Sequence, residues 1–397
     1  MAVAADNETP RTPVRSVSNT RTGRIAVEIL EGHGGVMPDI EREWNECLER
    51  TPEHERLFGY HWIHGWLRHL GNAGEWTGDV RILLARDIDG RVVGIVPLAK
   101  RRYHGLAIWA LAGYYQPHRG IVCVHDGQDE ICAALAQALL DMQGWNEVLR
   151  FGPYDTAVAE RLLLVRELAR RCRRLVCFDQ ERTIVARNIP SSPEEYRSLV
   201  QSHASMKRVL SYERRMQREG EASIRHHRNP SGDELRQMIE DCAAIESRSW
   251  LTSTEEGRPR FISQESRRFW EHVCAHQLGP QGQLNVWLAY FNGEPVAFRF
   301  TITTGSVRYM IANQYDQRYE RFRLGWILYL RDLEDCAQHG VRTMDMGNGN
   351  LKYKSRWGGK EEAMSQVIVV WPPGPLGILA ARLAEAAPVH RRIRRRI

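Results

Sequence analysis

The chain has 397 residues, with 55 Lys+Arg against 49 Asp+Glu and a formal net charge of +6. Five of those six charges belong to the last 17 residues, Ala381 to Ile397, where six Arg accompany a single Glu. The rest of the chain is nearly neutral, which argues against a nucleic-acid binder, whose folded face should be basic.

The length predicts two or more domains with a large core. A hydrophobic fraction of 43% and a charged fraction of 26% are those of a globular protein and exclude a disordered or collagenous chain. No apolar run approaches the roughly 20 residues of a membrane-spanning helix. The N-terminus, with Asp6, Glu8, Arg11 and Arg15 and no apolar core, does not read as a secretory signal. The eight Cys are scattered and never form a CxxC pair. They read as buried thiols of a cytoplasmic protein rather than a disulfide framework or zinc site, and no metal is expected.

Residues 1–24 are Thr-, Ser-, Asn- and Arg-rich with no apolar period, and are expected to be a disordered leader. Glu41–Leu48 and Phe58–Leu70 read as helices, the second because Trp62, Trp66 and Leu70 recur every four residues. Val80–Arg86 and Arg91–Leu98 flank Asp87-Ile88-Asp89-Gly90, a hairpin signal. Ile108–Leu111, Ile121–Val124 and Arg182–Arg187 read as strands, and Ile131–Met142 and Ala157–Arg171 as helices. Pro190-Ser191-Ser192-Pro193 is a break, with Ser192 as N-cap and Pro193 at the first helical position.

Beyond the break, Ser202–Gly220, Asp233–Trp250, Gln264–Gln277 and Gly325–His339 read as helices. Leu284–Phe291, Pro295–Thr303, Val307–Asn313, Arg342–Met346 and Met364–Trp371 read as strands. The hairpin around Asn292-Gly293 echoes the one around Asp89-Gly90 about 200 residues earlier, either because hairpins are alike or because an α/β unit is duplicated. The order helix, helix, hairpin, strand, helix, strand favours duplication. The expected domains are 25–189 and 190–372, followed by a tail, 373–397.

The segment Val307–Trp357 carries the chemistry. Tyr319 to Trp326 leads from a strand into a helix with Arg321, Phe322, Arg323, Leu324 and Gly325 at the junction. A helix start offers free N–H groups and a favourable dipole to a phosphate, and Arg can pair with its oxygens. After the next strand comes a Gly347/Gly349 loop, followed by Tyr353, Lys354 and Trp357.

These motifs resemble a known family. Lys207-Arg208 with Arg214-Arg215 and Gly220, Glu246 with Trp250, and Gly293 with Pro295-Val296-Ala297 occur in order. So do Tyr315-Asp316 with Tyr319 and Gly325, and finally Asp345, Gly347, Gly349, Tyr353-Lys354 and Trp357. The set is similar to the GNAT-type N-acyltransferases of the CelD-like group of bacterial cellulose and exopolysaccharide biosynthesis, related to the FemAB fold. It spans roughly residues 40–370. The chain departs from the pattern at Asn350, where the family has Asp, at Arg323-Leu324, where it has Ser-Pro, and at Leu251, where Lys is common.

The resemblance implies an α/β fold of tandem GNAT-like units with mixed central sheets. It implies an acyl-CoA cosubstrate, acetyl-CoA foremost, whose pantetheine arm enters where Val307–Asn313 and Arg342–Met346 splay. Arg321–Trp326 would hold the pyrophosphate. Glu246, Asp345 and Tyr353 are the candidate catalytic groups. Lys207, Arg208, Trp250, Tyr315, Asp316, Lys354 and Trp357 are the candidate acceptor-site residues. The implied reaction is transfer to the amine of an amino sugar or glycan. Two alternatives stand: a Fem-like transferase using aminoacyl-tRNA, and a non-catalytic GNAT-fold scaffold. In the tail, the apolar stretch Leu376–Ala387 beside an Arg cluster suits an anionic membrane surface; a solubilising tail is the other reading.

Overall fold

The computed structural model describes residues 15–52, 59–71, 74–103, 105–113, 120–155, 162–202, 204–249, 260–276, 282–348, 354, 357 and 360–386. In the first half the strands are β1 (Arg15–Thr22), β2 (Ile25–Gly32), β3 (Trp76–Arg86), β4 (Val92–Tyr103), β5 (Leu106–Leu111), β6 (Val122–Cys123), β7 (Glu147–Asp155) and β8 (Leu175–Arg187). The helices are α1 (Glu41–Glu49), α2 (Tyr60–Leu70), α3 (Gln128–Asp141) and α4 (Leu163–Arg171).

The second half holds β9 (Ala222–Arg228), β10 (Gly282–Phe291), β11 (Glu294–Thr304), β12 (Val307–Tyr315), β13 (Thr343–Asn348) and β14 (Lys360–Val370). Its helices are α5 (Pro193–Ser202), α6 (Ala204–Glu219), α7 (Gly232–Ser247), α8 (Gln264–Ala275), α9 (Leu324–Gln338) and α10 (Pro375–Ala386). The leader expected over 1–24 is corrected at its end: Arg15–Thr22 is a strand, paired antiparallel with β2. Composition alone missed it because an edge strand draws its hydrogen bonds from a neighbour and needs no apolar pattern of its own.

The strands form one continuous sheet in the order β1-β2-β3-β4-β5-β7-β14-β8-β13-β12-β11-β10-β9, with β6 on β4. Read inward from its two ends, the sheet repeats itself. A meander, β2 to β5 or β9 to β12, is followed by a helix, α3 or α9, and a parallel strand, β7 or β13. The echo seen in sequence is therefore a duplicated α/β unit. The two hairpins occupy equivalent places. Asn292 and Gly293, both at positive φ, give the tight turn of the second.

The units interlock at the centre. The first unit's last strand, β8, lies beyond β14 and pairs with β13. The second unit's last strand, β14, lies beyond β8 and pairs with β7. Each unit thus fills its central gap with the other's strand, although the chain break at Pro190 separates them in sequence. One hydrophobic cluster runs through both units beneath α1, α2, α3, α7 and α8. A second packs α5, α6 and α9 on the other face of the second unit.

Candidate active site

In the second unit, β12 and β13 pair only through Val307–Thr343, Arg308–Met344 and Tyr309–Asp345. Beyond Tyr309 the two strands part. On its other side β12 stays paired with β11 up to Tyr315, with a bulge between Phe300 and Thr301. Among the described residues a wedge therefore opens between the ends of β12 and β13, and the β12 edge there has no strand partner. Asp345 stands at the last paired position. Its Oδ1 accepts the Gly347 N–H at 2.7 Å, a short turn that Gly347 permits through φ +66°.

The chain leaves β12 through a 3-10 turn, Gln317–Phe322, and enters α9 at Arg323. Arg323 sits in the left-handed region, φ 51° and ψ 42°, an uncommon conformation for a side chain of this kind. As the first residues of the helix, Leu324 and Gly325 have N–H groups without an intrahelical acceptor. No acid occupies the first turn of α9. Arg321 and Arg323 lie exposed beside it, Arg321 bonded to Glu219 and Arg323 to Glu320. Phe322 and Leu324 are buried in the core, so only their backbones can face a ligand. Gly325 lies against the Asn313 carboxamide, which would be 3.4 Å from an added Cβ. The Asn313 Oδ1 is buried with no hydrogen-bond partner among the described residues.

Of the remaining expected residues, Lys354, Trp357 and Tyr315 lie at β13, α9 and the end of β12. Lys354, buried, donates from Nζ to the Gly347 carbonyl at 2.9 Å and so holds the end of β13. Trp357 is buried against Tyr329 and Trp326 of α9, ring centroids 4.9 and 6.3 Å away. Tyr315 is half-buried at the end of β12. Burial is the first cause that raises its phenol above the usual range, and Glu320 adds to it. Lys207 and Arg208 lie exposed on α6, whose opposite side buries Val209 and Met216. Tyr353, Trp250, Asn350, Gly349 and Leu251 lie outside the described residues.

Two acids have different surroundings from those expected. Glu246 is fully buried, and its Oε2 accepts the backbone N–H groups of Arg260, Phe261 and Ile262 at 2.8, 2.6 and 3.2 Å. Its Oε1 accepts from Gln314 Nε2 at 2.7 Å. Both oxygens are engaged, so this carboxylate anchors the 260–262 segment to β12. Asp316 is likewise buried and caps the 3-10 turn, accepting from Arg318 N at 3.0 Å and Arg248 Nε at 2.5 Å. Burial works to raise its pKa, yet these bonds outweigh burial and hold it below the usual range.

A buried ion network under α9 was not anticipated. Asp332 accepts from Arg299 Nε and Arg308 Nη1, each at 2.6 Å, and all three side chains are fully buried. Arg308 also reaches Asp335 at 2.9 Å, and Arg299 lies over the Tyr329 ring at 4.0 Å. Burial opposes ionisation of Asp332, but the two guanidiniums prevail and its pKa is lowered. The signal was present as charges inside apolar strands and helix, in Phe298-Arg299-Phe300 and Leu330-Arg331-Asp332-Leu333. The network locks α9, and with it the Arg323 junction, onto β11 and β12.

Residues 204–355 match the model of the family described as acetyltransferase (GNAT) domain. No curated protein matches the chain significantly. Among solved structures, the crystal structure of FemX is similar with a TM-score of 0.58 and 12% identity, covering 87% of this chain and 99% of its own. The C-terminal domain (DUF2156) of a putative lysylphosphatidylglycerol synthetase from Agrobacterium fabrum gives 0.50 and 11%, covering 86% and 95%. A tandem GNAT protein from the clavulanic acid biosynthesis pathway gives 0.45 and 13%, covering 88% and 99%. The chain therefore has an α/β fold of tandem GNAT-like units, and residues 204–355 in its second half match a GNAT acetyltransferase domain.

Proposed function

We propose that the second unit transfers an acyl group from acyl-CoA, acetyl-CoA foremost, to the amine of an amino sugar in exopolysaccharide- or cellulose-type glycan assembly. The observation that carries this reading is the Arg323 junction beside the β12–β13 wedge. N–H groups without intrahelical acceptors, two exposed Arg that could turn from Glu219 and Glu320, and a first turn without acids suit a pyrophosphate. The open edge of β12 beyond Tyr309 suits an extended pantetheine arm pairing as an added strand. A backbone N–H there would polarise the thioester carbonyl. The acceptor amine attacks that carbon, its proton passes to a base, and the CoA thiolate leaves. Asp345, at the point where the strands part, is the preferred base. Glu246 acts as a positioning residue, and Tyr353, Lys354 and Trp357 shape the acceptor side.

The test measures CoA thiol release by the full chain with acetyl-CoA and a panel of amino sugars. Asp345→Asn should lower kcat by about 10²–10⁴-fold with KM for acetyl-CoA little changed. Turnover at the wild-type rate by a folded Asp345→Asn variant rejects the assignment. A second reading, transfer from aminoacyl-tRNA, draws on the likeness to FemX. Failure of acetyl-CoA to raise the melting temperature, with peptide-bond formation from aminoacyl-tRNA, would favour it.

The tail belongs to the same proposal. α10 buries Ala381 against a small cluster of β5, β7, β8 and β14 and leaves Leu376, Leu379 and Leu383 exposed. Those three share one face, and the Arg cluster follows in sequence. The tail would hold the enzyme at an anionic membrane surface, where glycans are assembled on lipid carriers. Among the described residues no helix is long and apolar enough to cross a membrane. Flotation with anionic liposomes should be lost in a chain ending at Gly374; equal flotation removes the idea.

A further inference from the structure

Far from the wedge in sequence, α2 of the first unit packs against α8 of the second, and histidines crowd the contact. His61 and His64 stand three residues apart on α2, and His272 comes from α8. One ring nitrogen of each lies within 4.8 Å of the others. Gly65 makes room for this approach: a Cβ there would lie 2.6 Å from His272 Cδ2.

The hydrogen bonding of these rings is incomplete in a particular way. His61 Nε2 lies 2.8 Å from Glu41 Oε1, and a carboxylate oxygen can only accept, so Nε2 carries the proton. The other nitrogen, Nδ1, then holds a lone pair. It is buried without a hydrogen-bond partner among the described residues, as are His64 Nδ1 and His272 Nε2. Burial lowers His64 to about 4 and His272 to about 3, with neighbouring histidines adding to the effect in both. A metal ion binds a neutral imidazole through such a lone pair. A buried polar nitrogen with no partner is costly, and here each of three clustered rings carries one.

We infer that His61, His64 and His272 bind a divalent first-row transition ion, zinc by preference, which staples α2 of one unit to α8 of the other. Three imidazoles suit such an ion, and a water completes the tetrahedron. Bonds of about 2.0–2.1 Å place tetrahedral ligand atoms about 3.4 Å apart, so the rings close slightly on binding. Glu41 plays the part of the carboxylate that orients a metal-bound histidine and fixes its tautomer. His276 supports the layer from behind. Its Nδ1 donates to the His272 carbonyl at 2.8 Å, and its ring stacks on His61 at 4.2 Å. The alternative is a stack of imidazoles that packs the two helices and binds nothing.

The test uses the full chain without a histidine tag, stripped with a chelator and titrated with Zn²⁺. One equivalent should bind and raise the melting temperature. His64→Gln and His272→Gln should each weaken apparent affinity at least tenfold. Glu41→Gln should weaken it by about 10–100-fold through His61. His33→Gln, elsewhere on the surface, should stay within twofold. Because a substitution in this layer can unfold the protein, Co²⁺ absorption by the wild type is the second readout. Visible bands of a tetrahedral site should appear and be displaced by one equivalent of Zn²⁺. Absence of saturable one-equivalent binding, or unchanged binding by a folded His64→Gln/His272→Gln variant, overturns the site and leaves the imidazole stack.

Discussion

The helices α3 and α9 occupy equivalent places in the two units, yet they meet the sheet by different means. α3 buries Ile131, Leu135, Ala138 and Leu139, and among the described residues no ion pair ties it to the strands beneath. α9 holds Asp332 between Arg299 and Arg308 in the same interface. Their starts differ in the opposite sense. Both follow a residue in the left-handed region, Gly127 at φ 75° and Arg323 at φ 51°. The first turn of α3 carries Asp129 and Glu130, whereas that of α9 has no acid and is flanked by Arg321 and Arg323. A cavity of about 330 Å³ lies at the start of α3, lined in part by Asp87, Asp126 and Glu130. The duplicated frame is shared, and the charges at the two helix starts are opposite in kind.

The widest contrast lies under the helices. Asp332→Ala removes the counter-charge that the buried Arg299 and Arg308 share, leaving Arg308 only its contact with Asp335, and should cost about 3–5 kcal/mol in chemical unfolding. Leu135→Ala in α3 should cost a comparable amount, about 2–5 kcal/mol, through a cavity instead. Acid distinguishes them. Asp332 has a lowered folded-state pKa. Its contribution is therefore complete above the ordinary carboxylate value near 3.9 and is lost as pH falls through the lower folded value. The Leu135→Ala protein should keep the wild type's loss of stability on acidification, and Asp332→Ala should show less of it. Identical acid limbs for all three proteins would deny that the network ionises as its geometry requires.

The next contrast is at the helix starts, and it separates charge from backbone. Arg323→Gly relieves the left-handed conformation while removing the guanidinium; Arg323→Ala removes the guanidinium and keeps the strain. Both should weaken acetyl-CoA binding by about tenfold, one charge-assisted hydrogen bond in an exposed setting. The glycine variant should be the more stable of the two by about 1 kcal/mol. Calorimetric titration and melting curves report the two effects separately. Unaltered acetyl-CoA affinity in both variants would move the pyrophosphate away from α9.

How much of this could be read from sequence depends on whether a feature is local. The two hairpins announced themselves through Asp89-Gly90 and Asn292-Gly293, because a tight turn restricts its own residues. The Arg323–Gly325 helix start was legible for the same reason. Strand β9, Ala-Ser-Ile-Arg-His-His-Arg, was not: an exposed edge strand has little apolar pattern, and its ladder comes from β10. The interlocking of β8 and β14 is a pairing between segments almost two hundred residues apart, and nothing in either strand encodes its neighbour. Among the site residues, the Glu246 and Asp316 motifs were found but their surroundings were not. A carboxylate in a motif reads the same whether it faces a substrate or accepts three backbone N–H groups. The three histidines shared by α2 and α8 were invisible because two helices from different units bring them together.

The smallest expected effect concerns the start of α3, where the comparison can be inverted. Glu130 Oε1 accepts the Arg24 N–H at 3.0 Å, and nothing lies within 4 Å of a Cβ added at Gly127. Gly127→Ala therefore meets no clash and tests backbone strain alone, with an expected cost of about 1–2 kcal/mol. Glu130→Gln keeps an oxygen for Arg24 and removes one negative charge from a helix start that favours it. Its cost should be under about 1 kcal/mol. Neither change touches α9, so acetyl-CoA affinity should stay within twofold in both proteins. If Glu130→Gln instead gives the protein a second equivalent of bound acetyl-CoA, the acids at α3 are all that bar a second site. The two units would then differ by charge at one helix turn rather than by the shape of the wedge.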